Sequence, residues 1–230
     1  MKRILLISAL LLAVIFTVSA DRRRMLMVRN VAASGSTTLV IDTFDRANAN
    51  PISNNASDGT STWTTARIGG YDDVIRISAN EAIATTGDED GAYIVSPSHN
   101  NNQFAEIAVS SVGIGGGDNF GVVVRGQSSS SGSGYMAYVP GSATTIVVYK
   151  ITDSGTLGYS TLATLTVGTM TTGDRIRITA SGTTTTTITV YVNDVSQGGA
   201  TDSISPFNNG QPGVFISTAS RVNNFKSGNL

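Results

Sequence analysis

The chain has 230 residues, with 15 Lys and Arg against 16 Asp and Glu, one His and no Cys. Charged residues make up 13% of it, against about 25% in an average globular domain, while hydrophobic residues reach 40%. These values exclude a disordered chain, a disulfide framework, a cysteine-based metal site or nucleophile, and a nucleic-acid binder carrying a basic surplus.

Residues 1–20 begin with Lys2 and Arg3. An apolar run from Ile4 to Val18 follows, broken by Ser8 and Thr17, and Val18-Ser19-Ala20 closes the segment. That is the order of a secretory signal peptide, and the run is shorter than the about 20 residues of a spanning helix. Arg22, Arg23 and Arg24 follow at once and resist translocation, which keeps an uncleaved anchor as the alternative. The segment implies an exported protein, extracellular or at the cell surface, with membrane contact only through an uncleaved leader. Residues 21–36 form a basic and polar arm, in which Arg22, Arg23, Arg24 and Arg29 precede Ala32-Ala33-Ser34-Gly35-Ser36. From Thr37 onward 9 basic residues face 15 acidic ones, so a basic arm leads into an acidic body. The arm is either a solvated tail or an assembly arm for an acidic partner, a membrane surface or a neighbouring subunit.

The body, 37–230, alternates apolar and polar residues with the period of a strand. In chain order the pattern predicts strands at Leu39–Phe44, Trp63–Ile68, Val74–Ser78, Ala92–Ser96, Phe104–Val112, Phe120–Gly126, Tyr135–Val139, Thr145–Thr152 and Leu162–Val167. Further strands follow at 174–180, 187–193, Gly213–Ser217 and Arg221–Lys226. In 187–193, Ile188, Val190 and Val192 share one face, while Thr187, Thr189 and Tyr191 share the other. Phe120–Val124 and Ile146–Val148 are nearly continuous apolar runs, as in strands covered on both sides. Gly-, Asn- and Asp-rich turns separate the strands every 8–12 residues or so, the spacing of a sandwich or barrel. No stretch after residue 36 carries a helical stripe.

Several landmarks lie in order along this body: Asp42-Thr43-Phe44-Asp45-Arg46-Ala47-Asn48 and then Trp63; Phe120-Gly121-Val122-Val123-Val124-Arg125 with Tyr135 to Tyr138; Gly173-Asp174-Arg175-Ile176-Arg177 with Val190-Tyr191-Val192-Asn193; and Asp202, Gly213 and Asn223-Asn224-Phe225. Over about residues 40–227 they resemble the concanavalin A-like lectin/glucanase superfamily, in its laminin-G-like branch. The resemblance implies an all-β fold, a two-sheet antiparallel jelly-roll sandwich with one curved sheet. The chain departs from the family in two places. Its late hairpin turns on Asn193-Asp194 where Asn-Gly is usual, and Asn223 stands where the closing strand usually carries Asp. Some relatives hold a structural calcium with an early and a late acidic residue. Asp42 is the remaining candidate ligand here, and calcium is the one cofactor that the resemblance raises.

Catalytic members of that superfamily use clustered acidic residues, and glycoside hydrolysis needs two carboxylates facing one bond. The three Glu, at 81, 89 and 106, stand in no such pattern, which predicts a protein without enzymatic activity. His99, in Ser98-His99-Asn100-Asn101-Asn102, reads as an exposed loop residue. For binding, aromatic rings and hydrogen-bonding side chains suit a glycan: Trp63, Tyr71, Tyr135, Tyr138 and Arg125, with Tyr149 beside them. The resemblance places Arg125 on the curved sheet with Tyr138.

Two functions fit. One is a secreted or surface-attached, non-catalytic module that binds glycan or cell-surface polysaccharide. The other is a structural subunit of an extracellular filament, surface layer or virion. That subunit would bind copies of itself through the N-terminal arm, with Thr37–Ile41 adding a strand to a neighbour's sheet edge or serving as the domain's own first strand.

Overall fold

The computed structural model describes residues 36–49, 52, 54–66, 75–84, 89–111, 119–127, 132–141, 144–153, 157–217 and 220–230. The leader, Arg22, Arg23, Arg24, Arg29 and Tyr71 lie outside them. Thr37–Leu230 forms one compact unit. Its strands are β1 (Thr37–Asp42), β2 (Asn54–Asn55), β3 (Thr62–Ala66), β4 (Ile75–Ser78), β5 (Glu81–Ala84), β6 (Glu89–Ser96), β7 (Gln103–Ser111) and β8 (Phe120–Gly126). They continue with β9 (Gly134–Val139), β10 (Thr145–Asp153), β11 (Leu157–Thr166), β12 (Arg175–Ser181), β13 (Thr186–Val192), β14 (Val195–Asp202), β15 (Gln211–Ser217) and β16 (Arg221–Asn229). No helix occurs among the described residues.

The strands form two eight-stranded antiparallel sheets. The front sheet runs β11-β10-β9-β8-β15-β6-β3-β2 and the back sheet β14-β13-β12-β7-β16-β5-β4. The eighth back strand, β1, shares one side of β16 with β5: β5 pairs at Arg221 and Val222, and β1 pairs from Phe225 to Asn229. Thr37–Ile41 is therefore the domain's own first strand and not a spare one for a neighbour.

Period-2 patterning builds the core. In β12, Ile176, Ile178 and Ala180 are buried between half-buried Arg175, Arg177, Thr179 and Ser181. Ile188 and Val190 join them from β13, and Val192 packs at their margin. Phe120, Val122, Val124, Ile146 and Val148 answer from the front sheet. Each such side chain contributes about 1.5–3 kcal/mol by leaving water. β8 is buried along its whole length, as its continuous apolar run predicts. In β10 the run is interrupted, because Val147 is only half-buried.

Three strands escape the sequence pattern. Asn54–Asn55 has turn composition. Glu81–Ala84 is short and follows Ala79-Asn80, a turn with φ of 53° and 66° but no glycine. Val195–Asp202 contains Gly198-Gly199, which resembles a loop. Gly199 is required there, because a Cβ would lie 1.9 Å from the Ile188 carbonyl oxygen. The Asn193-Asp194 turn adopts φ of 50° and 67°, the positive values of a type I′ hairpin. Asp194 holds this geometry without glycine by pairing with Arg175 and, at 3.3 Å, with Arg177. Asn193 accepts from the Arg175 N–H at 3.0 Å and donates to Asp174 at 2.7 Å.

On the outer side of the front sheet, the Tyr93 ring of β6 lies across neighbouring backbone. A Cβ at Gly213 would meet it at 2.3 Å, and one at Gly126 at 2.4 Å. Gly213→Ala should cost about 1–3 kcal/mol through overpacking, read as a lower urea midpoint. A midpoint equal to that of the parent would show that the ring does not rest on this strand.

Candidate functional site

Alternation along the front sheet sends Met136 and Tyr138 of β9, and Tyr149 and Ile151 of β10, to the side away from the core. There they meet Val123 of β8, Phe215 of β15 and Tyr93 of β6 in a second apolar cluster. Its aromatic rings form a file across four strands. Phe215 lies 5.8 Å from Tyr138, Tyr138 lies 5.6 Å from Tyr149, and Tyr149 lies 5.6 Å from Tyr159 of β11, with tilted or edge-on planes. Exposure rises along the file from buried Phe215, through half-buried Tyr138 and Tyr149, to Tyr159 at 42%. Thr161 stands beside this face, opposite Tyr149 in the β10–β11 register. Tyr159 escapes the sequence reading because Gly158 and the turn before it place the strand start at Leu162. Its alternation with Thr161 would have marked it.

Of the residues the sequence nominates for a sugar, Tyr138 and Tyr149 belong to this face, and Tyr71 lies outside the described residues. Trp63 is 3% exposed. Its ring packs edge-on to Phe225 at 4.8 Å, and its Nε1 donates to Asp42 at 2.6 Å. Tyr135, one position out of phase with Met136 and Tyr138, points into the sandwich. Its hydroxyl donates to Asp202 at 2.7 Å and accepts from the Phe207 N–H at 3.0 Å. Burial and the bond to Asp202 push its pKa up to about 12. Burial also pushes the Asp202 carboxyl up, but hydrogen bonds from Lys150, Tyr135 and the Ile204 N–H outweigh it and hold the group below the usual carboxylate range. Neither Trp63 nor Tyr135 offers a ring to solvent for stacking.

Arg125 is the largest departure from the expected arrangement. Strict alternation would put it outside with Val123. Its φ of 54° instead turns the side chain inward, and the residue is fully buried. All five guanidinium N–H donors find partners: Nε and Nη2 donate to the Asn101 carbonyl, Nη2 also to Gly182 O at 2.7 Å, and Nη1 to Phe207 O and to Thr186 Oγ1 at 2.6 Å. Its own N–H donates to Gln103 Oε1 at 3.0 Å. Burial pushes its pKa down.

His99 belongs to the same end of the sandwich and is buried rather than exposed, at 9%. Its Nδ1 meets Gln211 Oε1 at 3.2 Å and its Nε2 meets Ser227 Oγ at 3.0 Å. Burial pushes the imidazole pKa down, against the opposing hydrogen bonds from Gln211 and Pro97.

Calcium does not fit Asp42. The carboxylate is fully buried and already accepts from the Phe44 N–H at 2.8 Å, the Ser57 N–H at 3.3 Å, Trp63 Nε1 and the Arg46 guanidinium. A calcium ion needs six to eight oxygens, and here N–H donors and a cation already occupy the Asp42 carboxylate. Among the described residues, no group of three or more His, Asp or Glu side chains could hold a metal ion.

The two stacked antiparallel sheets are a concanavalin A-like jelly roll. No family model and no curated protein matches the sequence. Among solved structures, the chain is similar to the carbohydrate-binding module CBM66 from Bacillus subtilis: TM-score 0.53, 15% identity, 72% of this chain and 92% of that one. It is also similar to the exoplasmic/lumenal domain of VIP36 in its Ca2+/Man2-bound form, with TM-score 0.51, 12% identity, and 78% and 86% of the two chains covered. A third is the legume lectin-like domain from Entamoeba histolytica, with TM-score 0.50, 12% identity, and 73% and 90% covered. At these identities the likeness is one of fold.

His99 is the chain's one histidine, so its titration can be read in stability. Its depressed native pKa means that the unfolded chain binds the proton more readily. Its contribution is complete above about pH 6.5 and is lost as pH falls from there toward the native value. Urea midpoints should drop between pH 7 and pH 5 in the parent and drop less in His99→Gln. Parallel pH profiles for the two proteins would contradict the buried placement.

Proposed function

We propose that the protein is an exported, non-catalytic carbohydrate-binding module. Its sugar platform is the outer face of the front sheet at Tyr138, Tyr149 and Tyr159. The observation that carries this reading is the ring file, which reaches solvent at Tyr159. A pyranose has an apolar C–H face and a polar rim. A tyrosine offers an apolar ring with a hydroxyl at its edge and loses little entropy on binding. Neighbouring Thr161 supplies a further hydroxyl. The likeness of fold to a carbohydrate-binding module and to lectin-like domains supports the same reading. So does the signal-like leader, since glycans and cell-surface polysaccharides are met outside the cell.

The state of four carboxylates among the described residues supports a binding role without turnover. Glycoside hydrolysis needs one carboxyl to donate a proton while another acts across the bond. Glu81 is paired with Arg221 at 3.1 Å, and Glu106 stands among three cations. Asp42 and Asp202 are committed to buried structural bonds.

A glycan array probed with the protein should show a saccharide bound by the parent. Tyr149→Ala and Tyr159→Ala should each weaken it about tenfold, equivalent to about 1.4 kcal/mol. Tyr135→Phe, which alters a buried hydroxyl, should leave affinity unchanged. An array on which the parent binds nothing, or on which the two alanine variants bind as the parent does, would remove the proposal.

A further inference from the structure

The outer face of the back sheet carries a second feature, of opposite character. Its centre is a cross-strand row: Arg177 of β12, Glu106 of β7 and Lys226 of β16 are direct register partners. Arg175 follows on the same face, opposite Ala108, which is itself opposite Asn223. A shallow groove of about 450 Å³ opens here, and its polar lining includes Glu81, Glu106, Ser110, Arg175, Asn224 and Lys226.

Glu106 lies beneath the cations. Its side chain is 7% exposed, whereas Arg175 and Lys226 are 40% and 39% exposed. The separations from Glu106 are 3.7 Å to Arg175, 3.9 Å to Arg177 and 3.8 Å to Lys226. These distances give attraction without a direct hydrogen bond. The carboxylate draws the cationic heads together; Arg175 also donates through Nη2 to Asp194 on the rim, while Lys226 remains 39% exposed. Arg221, paired with Glu81, extends the patch. Five of the nine basic residues that follow Ser36, namely Arg76, Arg175, Arg177, Arg221 and Lys226, stand on this one face of an otherwise acidic body.

Backbone geometry favours the same place. Asn223 and Lys226 pair with Ala108 and Glu106, so Asn224 and Phe225 together face the single residue Ile107. This bulge sends Phe225 into the core against Trp63 and holds Asn224 at a φ of 48° beside the groove. Bulges with a non-glycine residue in the left-handed region recur where a strand re-aims side chains for binding. The Ser110 hydroxyl, on the groove wall, finds no hydrogen-bond partner among the described residues.

We infer that this groove is a second binding site, for an acidic saccharide whose carboxylate or sulfate sits on Arg175 and Lys226. Asn223, Asn224 and Thr172 supply hydrogen bonds to its hydroxyls. The amides and hydroxyls favour a saccharide over a bare polyanion, and the acidic body repels an extended nucleic acid. The site is independent of the tyrosine face, which lies on the other sheet.

The test uses the full protein and polygalacturonate, with dextran as the neutral control. Polygalacturonate should bind, weaken steeply with added salt, and bind at least tenfold more weakly to the Arg175→Gln/Lys226→Gln double variant. Dextran should not compete at the groove. Glu106→Gln should bind polygalacturonate several-fold more tightly, since it removes the negative charge beneath the cations. An unfolded variant could not mimic that gain. A Tyr149→Ala/Tyr159→Ala protein should bind polygalacturonate as the parent does, which separates this site from the tyrosine platform. No polygalacturonate binding by the parent, equal affinity in the double variant, or no gain from Glu106→Gln would overturn the inference.

Discussion

The arrangement of this molecule depends on one buried cation. Arg125 ends the central front strand, turns inward through a left-handed backbone, and gives all five donors to oxygen atoms of Asn101, Gly182, Phe207 and Thr186. Those partners belong to separate connections at one end of the sandwich, so a single guanidinium ties them together. A buried charge is costly unless every polar atom is satisfied, and here each donor is. Gln103, His99, Gln211 and Ser227 extend the network, joining the last front-sheet pairing to the end of β16.

The two outer faces then differ in kind. In front, glycines at 121, 126 and 213 let Met136 and Tyr93 lie flat on the backbone, and tyrosines step outward from them toward solvent. Behind, an acidic side chain is held under three cations beside a bulge. A thin sandwich whose interior is filled can bind only on its faces, edges and loops. Side-chain alternation decides which residues reach those faces.

Alternation is also why much of the fold was legible in the sequence. The buried isoleucines of β12 and β13 and the continuous apolar run of β8 follow directly from pattern. β5 and β14 were missed because their signals are local exceptions: a turn built on Ala79-Asn80 without glycine, and a strand whose Gly198-Gly199 answers to close backbone contact. The site was less legible for a related reason. Period-2 reasoning assumes regular backbone, and the left-handed residue at 125 reverses the side chain it predicts. Trp63 and Tyr135 suit a sugar by chemistry, yet each has a polar atom that finds a buried carboxylate, Asp42 or Asp202. Tyr138 lies on the exposed phase, where alternation with Tyr135 allows it. His99 is buried although Asn100 and Asn102 beside it are exposed; in this run it is the backbone carbonyls of Asn100 and Asn101 that accept from Gln103 and Arg125 in the buried network.

The central claim is that carbohydrate rests on the tyrosine file of the front sheet. A crystal structure of the protein with a bound oligosaccharide tests it most directly. A sugar ring should be stacked on Tyr149 or Tyr159, with its hydroxyls turned to the rim of that face. A sugar held elsewhere, with the three tyrosine rings untouched, would contradict it.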